Sequence, residues 1–246
     1  MMIDWGIPEA QQADIIASAG HLIDKAKVAG GIPRFMPCEL LKRKLNAYRE
    51  AGISTANGGL FTELALQQCT YDILLSELCE FGFAAVEVSE NLVALSTSEK
   101  SEAVRHARQA YGLQVLGEVG RKEGAMSDDG TIEDVETYLN AGAVAVYLEA
   151  YEMFDGPSPR EALIRRLSEN FPPEVLIFEL PVVILPGTTR DIKHQVAARM
   201  VAILGTEVNL ANVEHDELYV LEIVRRGMAG DTSHSEGAYR LAGIGS

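Results

Sequence analysis

Apolar and polar positions along the chain switch repeatedly between two periods. Four short runs, FAAVEV (83–88), LQVLGEV (113–119), VAVYLEA (144–150) and VLIFEL (175–180), are compact and rich in β-branched residues, as buried strands are. Between and after them, stretches of helical period cover about 98–111, 131–141, 159–169 and 190–203. The earlier part of the chain follows the same rhythm less cleanly. MMID is a short first strand before the turn at Gly6 and Pro8, and a helix follows from Glu9 to about Ala19. HLIDKAKVA (21–29) reads as the second strand and ISTA (53–56) as the third, halted by Asn57-Gly58-Gly59. Pro37 to Ala51 carries Leu40, Leu41, Leu45 and Tyr48 on one helical side, and further helix fills about 60–81. A strand at 206–209 and a helix at 214–227 end the series. Ser96-x-x-Glu99 and Ser158-Pro159-x-Glu161 have the form of capping boxes.

Eight strands alternating with helical segments predict a single-domain (β/α)8 TIM barrel with a short first strand. The length of 246 residues matches the roughly 250 typical of that fold. A doubly wound open sheet is the alternative topology, and it too gathers strand carboxyl ends at one site.

Each of the four clean strands closes on a glutamate: Glu87, Glu118, Glu149 and Glu179, at gaps of 31, 31 and 30 residues (118−87, 149−118, 179−149). In a barrel these carboxylates meet near one rim. Close carboxylates repel and need a cation, shared protons or basic neighbours. All-oxygen donors suit Mg2+, so the four are candidate metal ligands, with some free to orient lysines instead. Lys27 lies inside an apolar strand, where its charge is costly unless paired, which points it into the barrel mouth. Lys122, just past the fifth strand, is a candidate proton donor or electrostatic clamp. Reading the other strand ends adds Asp4, Gly58, Gly59, Glu63, Ser89, Arg121, Asn209 and Asn212. The paired glycines could bare backbone amides to an anion, and Asn209 to Asn212 open the last helix, where barrels often hold phosphate.

The net charge of −15 argues against nucleic acid or an anionic membrane as partner. No apolar run reaches 18 residues, so the expectation is a soluble, cytoplasmic protein, and a homo-oligomer. Cys38, Cys69 and Cys79 lack metal or redox spacing and are expected to be free thiols, buried or half-buried.

KAKVAGG (25–31), NGGLFTE (57–63), GFAAVEVSE (82–90), VLGEVGRK (115–122), NAGAVAVYLEA (140–150), VLIFELP (175–181) and the stretch 208–232 resemble the phosphosulfolactate synthases of coenzyme M biosynthesis. The resemblance implies a Mg2+-dependent barrel that adds sulfite to phosphoenolpyruvate through an enolate-like intermediate. Lys122 would protonate C2, with Lys27 and Glu118 also catalytic. Gly58, Gly59, Ser89, Arg121, Asn209 and Asn212 would bind substrate, and the four glutamates the metal. The chain departs from the family pattern at Trp5 and Tyr151, where basic residues are lost. It departs also at Ser89-Glu90-Asn91-Leu92, which replaces an SDGS-like loop, and at Val182 to Pro186, an apolar replacement for a polar loop. These departures leave open a different carboxylic acid as substrate, or a non-catalytic barrel in binding or stress protection.

Overall fold

The computed structural model describes residues 1–120, 126–155 and 158–229. Its sheet contains β1 (Met2–Asp4), β2 (Lys25–Val28), β3 (Ser54–Asn57), β4 (Ala85–Val88), β5 (Gln114–Val119), β6 (Ala145–Leu148), β7 (Leu176–Glu179) and β8 (Leu210–Ala211). All neighbours are parallel and in sequential order. A parallel bridge between Met2 and Val213 joins the first strand to the last, supported by the Ile3 N–H to Val213 carbonyl bond of 2.9 Å. The sheet thereby closes as a (β/α)8 barrel.

The two-residue period decides what enters the barrel. Val86, Val88, Val115, Val119, Val146, Leu148 and Phe178 point outward and pack with the helices in one continuous core. Ala56, Ala85, Leu116, Ala145, Tyr147, Ile177 and Ala211 form a separate cluster inside. Four of those seven are alanines, which leaves room in the interior for long side chains from the layer above. The chain enters β4, β5 and β6 by one recurring device. Gly82, Gly112 and Gly142 end the preceding helices in the left-handed conformation (φ 92°, 70° and 108°), which other residues adopt only with strain. Each strand then starts two or three residues later.

The capping box at Ser96 and Glu99 is present, opening the helix Thr97–Tyr111. That at Ser158 is not. Ser158–Pro159 pairs antiparallel with Phe154–Asp155, and the helix Glu161–Asn170 starts after Arg160 with no side-chain cap. The eighth strand also differs: it lies at Leu210–Ala211, not 206–209, and the last helix is Leu218–Arg225. In VNLANV the two asparagines stand three apart, so a two-residue period does not fix its register. The second strand is shorter than expected, with a 3-10 turn at Gly20–Leu22 before it. The three thiols are free, as expected, but exposed rather than buried. None of the described helices is long and apolar enough to cross a membrane.

Candidate active site

Register sets which acidic side chains are neighbours. Tyr147 pairs with Ile177, so Glu149 and Glu179, each two residues on, are neighbours at the carboxyl ends of β6 and β7. Glu118 pairs with Tyr147 and Glu87 with Leu116, so each falls short, in register, of the glutamate on the next strand. Strand tilt and shear offset these shifts and gather the carboxylates near one rim. One oxygen from each of Glu118, Glu149 and Glu179 lies within 4.8 Å of the others, and all three residues are buried.

Lys27 rises among them from β2. Its Nζ lies 2.8 Å from Glu87 Oε2 and 2.8 Å from Glu179 Oε1, and 4.6 Å from the centre of the Tyr147 ring. The fourth glutamate is thus held apart from the triad. Glu87 is fixed by Lys27 on one oxygen and by the Gly59 N–H on the other, at 2.7 Å. Gly59 allows this approach because a Cβ there would come within 2.8 Å of Ser89 Cβ and 2.9 Å of Glu87 Oε1.

These contacts place the sequence-derived candidates. Neither paired glycine presents a bare amide, since Gly58 N–H bonds to the Val28 carbonyl and Gly59 N–H to Glu87. The Ser89 hydroxyl donates to buried Glu63. Asn212 stands at the carboxyl end of β8 with φ 59°, its Nδ2 donating to the Leu180 carbonyl. Asn209 lies at the opposite end, because the true strand begins after it. Its amide binds the carbonyls of Pro173 and Leu176, on the wall of a 620 Å³ cavity between Lys25 and Arg225. Asp4 is engaged by the Gly6 and Ile7 N–H groups, Lys44 and Tyr48, and so closes the first turn rather than facing the site. Arg121 and Lys122 lie outside the described residues.

With this geometry in hand, comparison with known proteins assigns the chain. The profile of the family described as (2R)-phospho-3-sulfolactate synthase (ComA) matches residues 1–231. The chain belongs to the phosphosulfolactate synthase family. A phosphosulfolactate synthase of Methanocaldococcus jannaschii is 32% identical over 94% of this chain and 92% of its own length. One from Bacillus subtilis is 25% identical over 94% and 90%. Among solved structures, 3-hexulose-6-phosphate synthase from Salmonella typhimurium is 12% identical, with a TM-score of 0.54 over 93% of this chain and 98% of that one. At that identity the likeness shows the fold alone. Phosphosulfolactate synthases are enzymes, and membership makes this chain an enzyme of lyase type acting on a phosphorylated carboxylate.

The acidic cluster is under electrostatic load. Burial pushes Glu179 up from 4.5 to about 7, helped by Glu149 and Glu87 and opposed by Lys27. Burial, then Glu179 and Glu87, raise Glu118 well above the carboxylate range. Burial alone would lower the Lys27 ammonium, but Glu179, Glu87 and Glu118 outweigh it and hold it well above its ordinary value. One lysine therefore faces more carboxylates than it can neutralise. The donor set fits a hard dication. All donors are oxygen, as Mg2+ prefers, and the three lie within 4.8 Å of one another, near enough to converge on one ion.

Sequence reasoning missed Asn91, which donates from Nδ2 to Glu118 Oε1 at 2.8 Å. It also missed Arg160, which ties Glu152, in the short helix after β6, to Asp128 at 2.6 Å. Both lie off the strand ends. Among the five residues of the apolar replacement loop, Ile184 is 61% exposed, and Tyr151 after β6 is 50% exposed.

Proposed function

We propose that the chain joins sulfite to phosphoenolpyruvate, giving 2-phospho-3-sulfolactate, with Mg2+ held by Glu118, Glu149 and Glu179. The observation that supports this most is the buried carboxylate triad beside Lys27, in a chain of this family. The sulfite sulfur attacks the methylene carbon, and the C2=C3 electron pair moves onto C2 and into the substrate carboxylate. Lys122 then delivers a proton to C2, which completes the addition with no net oxidation or reduction. Lys27, pinned by Glu87 and Glu179, places fixed positive charge where the carboxylate becomes more negative, and such preorganised charge needs no rearrangement during the reaction. When bound, Mg2+ supplies further Lewis-acid stabilisation of that charge. Glu87 acts in this scheme as the anchor of Lys27 rather than as a ligand. The same reading has the enzyme act in the cytoplasm as a homo-oligomer.

A melting series with Mg2+ and candidate acids tests this. Without metal, folded Glu179 holds its proton up to about pH 7, above its ordinary 4.5. Between those values the folded state binds more protons than the unfolded one, so metal-free stability falls as pH rises. Mg2+ replaces the missing protons. It should therefore raise Tm strongly at pH 8 and little at pH 5, and Glu149→Gln should remove most of that rise. Phosphoenolpyruvate should add to the Mg2+ effect, whereas pyruvate should not. Stabilisation by a non-phosphorylated acid alone would favour a different substrate, for which exposed Ile184 and Tyr151 supply an apolar rim.

A further inference from the structure

Glu63 is a buried carboxylate with no place in the scheme above. It projects from the helix Leu60–Gln67 into the loop that follows β4. Its Oε1 accepts from the Ser89 hydroxyl and from the Asn91 N–H at 3.0 Å. Its Oε2 accepts from the N–H groups of Leu92 and Val93 at 2.6 and 3.0 Å. Three consecutive backbone amides thus converge on one carboxylate, the arrangement of an anion-binding nest with a resident side chain as the anion. None of these donors is charged. A buried carboxylate is costly without such donors, so helix and loop hold each other in one conformation.

The loop so held carries Asn91, whose Nδ2 is 2.8 Å from Glu118 Oε1. That bond engages one oxygen of Glu118 and sets the rotation of its carboxylate. We propose that Glu63 and Asn91 form a positioning relay in which Glu63 shapes the 89–93 loop so that Asn91 aims Glu118 at the cation. The inference rests on the metal reading of the triad. Partners of this kind, one step removed from the metal, orient ligands and typically change affinity by about 10- to 100-fold when removed.

Calorimetric titration of the full chain with Mg2+, alongside Asn91→Ala, Glu63→Gln and the double variant, tests the relay. Asn91→Ala should bind Mg2+ about 10- to 100-fold more weakly. Its metal-free Tm should stay within about 2 °C of the unsubstituted chain, as for a substitution outside the core. Glu63→Gln should weaken binding as well, and adding Asn91→Ala to it should weaken binding no further, since residues of one relay are not additive. If Glu63→Gln fails to fold, Asn91→Ala decides alone. Unchanged Mg2+ affinity in Asn91→Ala, or multiplying effects in the double variant, would overturn the relay while the metal reading stands. Absence of Mg2+ binding by the unsubstituted chain would overturn both.

Discussion

Lys122→Ala is expected to lower turnover by about 10²- to 10⁴-fold, the usual effect of removing a general acid. The chain leaves β5 through Gly120, whose φ of 129° and lack of a side chain bring it against Glu149 and Glu152. A Cβ there would approach Glu149 Cβ to 2.6 Å. Gly120, the last described residue before Lys122, thus sits against one member of the triad. Because the scheme gives this lysine the proton and not the metal, Mg2+ affinity and the phosphoenolpyruvate-dependent rise in Tm should survive the substitution. Steady-state turnover together with melting curves separates the two. Near-normal turnover in Lys122→Ala would mean that another group protonates C2.

Lys27→Met should cost about 3–5 kcal/mol of stability at pH 8, the range found when one partner of a buried ion pair is removed. Methionine keeps the bulk against Tyr147 but leaves Glu87 and Glu179 buried without their cation. The sign of the pH dependence follows. With the lysine gone, Glu179 loses the cation that opposes its upward shift and holds its proton more strongly in the folded state, so stability falls further as pH rises and recovers towards pH 5. Urea unfolding at the two pH values measures this, and Lys27→Met combined with Glu179→Gln should regain part of the loss. Equal stability of Lys27→Met and the unsubstituted chain at pH 8 would show that the carboxylates do not depend on Lys27. Activity should also be lost, because no other described residue contacts both Glu87 and Glu179 as a cation.

The barrel was legible because its signal is local. Alternation in β4 to β7 is visible in short windows, and so is the Ser96–Glu99 cap. The candidate site was legible only to the extent that strand ends gather at one rim. Lys27 betrayed itself as a charge in an apolar strand, and the pairing came out as that cost required. Which carboxylates pair with it did not, because Glu179 is 152 residues away and their meeting depends on strand register. The meeting of Glu149 and Glu179 has the same origin. Ser158-Pro159-x-Glu161 imitates a cap but is drawn into a hairpin, as tertiary pairing overrides a local pattern. A two-residue strand such as β8 carries too little alternation to be located, and that shift moved Asn209 to the far end of the barrel. Asn91 and Glu63 act through loop geometry, which has no periodic signature.

Phosphorus NMR of the purified chain with phosphoenolpyruvate, sulfite and Mg2+ reads the proposed addition at the phosphate itself. The phosphoenolpyruvate resonance should be lost while a new phosphate-monoester resonance grows, one that requires sulfite and disappears with a chelator. No new ester resonance, or release of inorganic phosphate in its place, would mean that this acidic, lysine-bearing barrel does not add sulfite to phosphoenolpyruvate.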